Sequence, residues 1–160
     1  MPAAELPAWI EGWQAPAEWQ AAFPVTRDRL PLLMGDIEHH VWIQGIADWL
    51  HGSRARPQTI DAQAGRFGSW LRREGRSLYG TSPAFRAIDG IHTEMHELAD
   101  RLMELHTDGR TAQALDGLPQ LWALLESMRS QFGGLVTGFD KDEIDPWAGP
   151  HAQADRSSPP

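Results

Sequence analysis

Two histidines four residues apart, His92 and His96, fall within a run of apolar residues that recur at three- and four-residue steps: Phe85, Ile88, Ala99, Leu102 and Met103. On a helix that spacing separates two imidazoles by about 40° around the axis and ~6 Å along it, so both rings can reach one ion. The preceding helical segment supplies a third. Ile46, Trp42 and Trp49 share one face, and three residues back from Trp42 stands His39, whereas His40 aligns with Gln44 and His51 on a polar face. Periodicity therefore points His39 inward and His40 outward. Three imidazoles in a small core are costly unless each ring nitrogen finds a partner. A metal ion partners all three at once and leaves the remaining ring N–H groups for nearby acceptors. The competing reading is three core histidines bonded to carbonyls or carboxylates. For a paired His-x-x-x-His facing a third inward histidine, imidazole chemistry favours a borderline ion, zinc first.

The elements that must carry these residues are helical. Leu30–Leu50 and the stretch from about Gln58 to Val136 show helical periods, and no segment alternates as a strand would. Helix one is expected over Leu30 to Leu50, stopping near Gly52. Helix two is expected from near Pro57 to near Gly75. Helix three has Ser82 as N-cap, Pro83 in the first turn, and runs to about His106 with Gly109 beyond. Helix four opens near Thr111, is expected to break or bend at Gly117-Leu118-Pro119, and resumes through Phe132 before Gly133-Gly134. Short connections between long amphipathic helices imply an all-α, antiparallel four-helix bundle, with the broken fourth segment as a short extra helix. The bundle is assigned to residues 30–137. Residues 1–29 form a Pro/Trp-rich extension whose Trp9, Trp13 and Trp19 either cap the bundle or anchor a partner. Residues 138–160 read as a polar, mobile tail.

Composition narrows the function. The chain has 160 residues and no cysteine, which excludes disulfides and thiolate metal ligands and fits a reducing compartment. A formal net charge of −8 argues against a general nucleic-acid surface. The first residues lack the pattern of a secretory signal, and no apolar run reaches the ~18 residues of a membrane span. A cytoplasmic protein is the expectation.

Three motifs in order resemble the chemoreceptor zinc-binding (CZB) domain family: His39-x-x-Trp42, Gly65-Arg66-Phe67-Gly68-Ser69-Trp70-Leu71, and His92-x-x-x-His96. The likeness runs from about Leu30 to Val136 and includes the spacing of Gly109 and Ala114 before the last helix. The family's second motif is Cys-x-(Leu/Phe)-Gly-x-Trp, and its zinc is held by three histidines and that cysteine. By this resemblance His39, His92 and His96 are zinc ligands, while Gly65 stands where the family has its cysteine. Asp61, one helical turn before Gly65, is the candidate to complete the set. It would serve as an oxygen ligand, as an acceptor for a ligand histidine, or as an acid at a helix N-terminus. Without it the site is three histidines plus water or a small anion. Two glycines inside a helix are costly, so Gly65 and Gly68 imply close approach to a neighbour or a void beside the ion.

The resemblance implies a stand-alone sensory or regulatory domain, not an enzyme, in bacterial signalling such as chemotaxis or cyclic-di-GMP control. It implies a homodimer that acts through a partner such as a chemoreceptor or diguanylate cyclase. Two alternatives are a hemerythrin-like di-iron bundle, for which helix three offers His96, Asp100 and Glu104, and a metal-free dimerisation module.

Overall fold

A computed structural model describes residues 13–21, 26–58 and 61–138. Among the described residues every regular element is a helix, with no strand. A short helix, α1 (Ala17–Ala21), precedes α2 (Leu30–Leu50). Next comes a composite segment in which α3 (Arg66–Trp70) passes through a π-helical turn (Leu71–Gly75) into α4 (Arg76–Tyr79). The long helices α5 (Pro83–Thr107) and α6 (Thr111–Gly138) complete the chain's described part.

The expected punctuation sets the ends of α2 and α5. Gly52 and Gly109 have φ of +78° and +79°, the left-handed geometry that ends a helix and that a Cβ would oppose. Ser82 is extended (ψ 131°) and Pro83 opens α5. Cross-helix neighbours give the directions. Gly117 sits against Leu102 and Gly134 against Ala84, so α5 and α6 are antiparallel. His39 lies beside His92 and His96, and Trp49 beside His106, so α2 runs parallel to α5. Phe67 meets His39 and His92, whereas Trp70 and Tyr79 meet Phe85, which sets α3–α4 antiparallel to α5. The result is an up-down-up-down four-helix bundle whose second strut is short.

Three expectations need correction. Pro57, Gln58 and residues 61–65 are not helical: Gly65, with ψ 159°, is the residue before α3, and the helix runs on to Tyr79 instead of ending at Gly75. A side chain on Gly68 would collide with the carbonyl oxygen of Ala62, so the preceding turn folds tightly onto α3 where a continuous helix was expected. Nor does α6 break at Pro119; it continues through it to Gly138. Pro119 is exposed, and the buried row Ala114, Leu118, Leu121, Leu125, Met128 and Phe132 runs on either side of it, so packing overrides the missing N–H. The short extra helix is α1, in the amino-terminal extension, and not a piece of helix four.

The composite segment buries Phe67, Leu71, Gly75 and Tyr79 at four-residue steps. In a regular α-helix such a row drifts by about 40° per step. The wider π turn takes up this drift and keeps the row on one face. At Gly75 a Cβ would lie 2.9 Å from the Trp70 ring and 3.0 Å from that of Phe85.

Of the amino-terminal tryptophans, Trp9 lies outside the described residues, as do the tail residues beyond 138. Trp19 caps the bundle: it is buried, packs at 6.2 Å from Phe132, and donates its indole N–H to Asp36 at 3.1 Å. Trp42 and Trp70 are core; Trp13, Trp49 and Trp122 are half-buried against it. His40 is not on a solvent face. The α6 helix covers that side of α2, placing the ring 5.2 Å from Trp122 and its Nδ1 3.3 Å from the Arg129 guanidinium, which donates.

Candidate metal centre

The residues singled out by periodicity meet. His39 comes from the middle of α2 and His92 and His96 from successive turns of α5, all three buried. Their Nε2 atoms converge: His92 to His96 at 3.1 Å, His39 to His96 at 3.4 Å. One ligand atom from each lies within 4.8 Å of the others, and no carboxylate joins this cluster among the described residues. A tetrahedral ion with nitrogen bonds of about 2.05 Å has edges of about 3.3 Å, so the two close pairs already stand at ligand spacing.

The protonation states suit a cation. His39 Nδ1–H donates to the carbonyl of Gly35, one turn back, at 2.6 Å, which leaves Nε2 as the lone-pair nitrogen. Burial pushes His39 down to about 4 and His92 to about 2, with the neighbouring histidines adding to the burial effect in each case. Both are therefore neutral at pH ~7, the form that binds metals. Without a cation the cluster is frustrated, because one proton on His96 Nε2 cannot make good bonds to both neighbours.

Aromatic walls hold the rings. Trp42 stacks on His96 at 4.5 Å, and Phe67 stands edge-on to His39 and His92 at 5.5 and 5.3 Å. Gly35 serves twice. Its carbonyl orients His39, and its missing side chain admits Phe67, whose ring would lie 2.5 Å from a Cβ there. A cavity of about 420 Å³ opens beside the cluster, touching all three histidines, Gly65 and Asp61.

Asp61 is exposed and precedes the turn into α3. One of its carboxylate oxygens accepts the N–H groups of Gln63 and Ala64 at 2.7 and 3.2 Å, which holds its carboxyl below the usual range. It is on the cavity's rim but outside the histidine cluster. For a di-iron site, the expected helix-three carboxylates do not assemble: Asp100 is half-buried and Glu104 exposed, and neither joins the cluster.

Sequence reasoning missed a second polar network one turn from the site. Asp36 is fully buried in α2, accepting Arg129 Nε from α6 at 2.6 Å and the Trp19 indole from the extension. Arg129 also donates to Glu126 at 2.6 Å. Burial raises the Asp36 carboxyl above its ordinary range, with Arg129 and Trp19 opposing that shift. The only hint was an aspartate in the apolar run Leu32-Leu33-Met34-Gly35-Asp36-Ile37.

Comparison with curated proteins and with solved structures returned no match. The family comparison did: residues 39–103, which begin and nearly end with the convergent helices, match the model of the chemoreceptor zinc-binding domain. Three buried histidines in this stretch stand ready for a metal ion, and the stretch that holds them is similar to the chemoreceptor zinc-binding domain.

Proposed function

We propose that this chain is a zinc-binding sensory or regulatory domain in which His39, His92 and His96 hold the ion. The observation that carries the reading is the convergence of three Nε2 atoms with His39 locked by its bond to Gly35. Zinc at that point ties α2 to α5, and Phe67 of α3 rests on both ligand-bearing helices. Metal occupancy thus changes how firmly three struts of the bundle are packed, and so which surface the domain offers a partner. Bacterial signalling, such as chemotaxis or cyclic-di-GMP control, is the setting the family suggests. The domain acts there as a homodimer with a chemoreceptor or diguanylate cyclase as partner. Similarity to a regulatory domain supports a non-catalytic role. Among the described residues no helix is long and apolar enough to cross a membrane.

The test is elemental mass spectrometry of protein purified without a metal-binding tag, beside a His92→Ala/His96→Ala variant. About one zinc per chain, lost in the variant, is expected for a single site of this kind. Iron in place of zinc, or zinc retained by the variant, refutes the assignment. Sedimentation of the metal-free and zinc-loaded forms tests the dimer.

A further inference from the structure

The fourth side of the histidine cluster differs from the other three. Among the described residues no side chain completes the set, and the cavity of about 420 Å³ touches all three histidines there. That is many times the ~30 Å³ share of a water molecule in the liquid. Gly65, on its wall, contributes no side chain, and the Asp61 oxygen that accepts Gln63 and Ala64 is already committed. Much of the wall is apolar: Val41, Trp42, Ala62 and Phe67. The charged side chains on it are Glu38, Asp61 and Arg66; Arg66 pairs with Glu38 at 3.5 Å, which leaves no unpaired cation there to draw in an anion. Trp42, which also stacks on His96, carries a buried indole N–H with no acceptor.

Three neutral imidazoles do not reduce the charge of a divalent ion, and a buried, uncompensated charge is costly. We infer that the centre takes an exogenous monodentate anion of low hydration energy, with a small thiolate as the type, as the fourth zinc ligand in the cavity beside Gly65. This rests on the zinc reading above. The ion supplies the attraction, and the apolar wall selects against strongly hydrated anions, which would lose their water without new partners. Zinc accepts sulfur donors readily. The domain then reports zinc and the anion together, since the anion binds only where the ion is already held.

The experiment uses the full chain with cobalt(II) in place of zinc, because cobalt's visible bands report changes in its ligand set. Azide and ethanethiol are titrated against fluoride and acetate. Saturable spectral shifts are expected for azide and ethanethiol, at least about tenfold tighter than for fluoride or acetate. Gly65 has φ −60° and ψ 159°, ordinary for any residue, so Gly65→Phe should fill the cavity without backbone strain and weaken azide at least about tenfold. If the chain takes up no cobalt, the zinc reading fails and this inference falls with it. If cobalt binds but its spectrum ignores all four anions, the inference alone is overturned. Sensitivity that appears only in Asp61→Ala also overturns it and identifies Asp61 as the fourth ligand.

Discussion

The buried histidines make the metal-free protein acid-labile, and the structure sets the size of the effect. Burial holds His39 down to about 4, whereas in an unfolded chain it titrates near its model value of 6.5. The unfolded chain therefore binds the proton first. Stability from a depressed histidine is present above pH ~6.5 and is lost as pH falls towards the folded value, at about 1.4 kcal/mol per pH unit. For His39 that amounts to about 3 kcal/mol by pH ~4. His92, held to about 2, stays neutral through the same window and adds a loss of similar size there. Asp36 works in the opposite sense: its raised carboxyl contributes stability on protonation, between its folded value and 3.8. The histidine loss, about 6 kcal/mol in all, is comparable to the whole stability of a typical domain, about 5–15 kcal/mol. Urea unfolding of chelator-treated protein, followed by circular dichroism between pH ~7 and ~4.5, measures it. The fitted stability should fall steeply over this interval and much less in a His39→Leu/His92→Leu variant. A wild-type profile that is flat, or that rises as pH falls, would refute the claim that these rings are buried and neutral.

Three substitutions probe the surrounding framework. Asp36→Ala strands Arg129 in a buried setting and should cost about 3–5 kcal/mol in denaturant unfolding, with a change in Trp19 emission. A loss below about 1 kcal/mol would show the pair to be solvated. Gly35→Ala drives a methyl into the Phe67 ring. Overpacking of about 1–3 kcal/mol against about 1 kcal/mol of helix propensity predicts a net loss of about 1 kcal/mol. Zinc affinity in a chelator competition should fall with it, because Phe67 walls two histidines; unchanged affinity would remove Phe67 from that role. Pro119→Ala restores an N–H inside α6 at an exposed position and should raise the thermal midpoint, by at most the ~3 kcal/mol that an interior proline costs a helix. A lowered midpoint would mean that the ring's packing beside Leu115 and Trp122 outweighs the missing hydrogen bond.

What could be read from the sequence was what local chemistry decides. Gly52, Ser82-Pro83 and Gly109 mark helix ends wherever they occur, and the three-and-four stepping of α5 placed His92 and His96 in its buried stripe. His39 followed by the same stepping. The failures arose where one segment's geometry depends on another. Pro57 and Asp61 carry helix-start chemistry, yet the helix begins after Gly65 because Ala62 folds against Gly68. Pro119 carries a stop signal that the continuous buried row of α6 overrides. His40 looked polar-faced because periodicity on α2 cannot reveal that α6 covers its other side. Asp36 and Arg129 are 93 positions apart, and no local rule joins them.

The π turn at Leu71–Gly75 has a consequence for chain length. It acts as one residue of slack in the second strut. Deleting a single residue there would let the segment close into regular α geometry with everything after it still facing the same way, because the π turn spends its extra residue without extra rotation. Tyr79 would stay on Phe85, and the chain would enter α5 from the same side. An added residue has no such slack to draw on: in α geometry it would rotate everything after it by about 100° and swing Tyr79 off Phe85. The second strut is thus tolerant of one deletion, and intolerant of one insertion, at a turn that carries no ligand histidine.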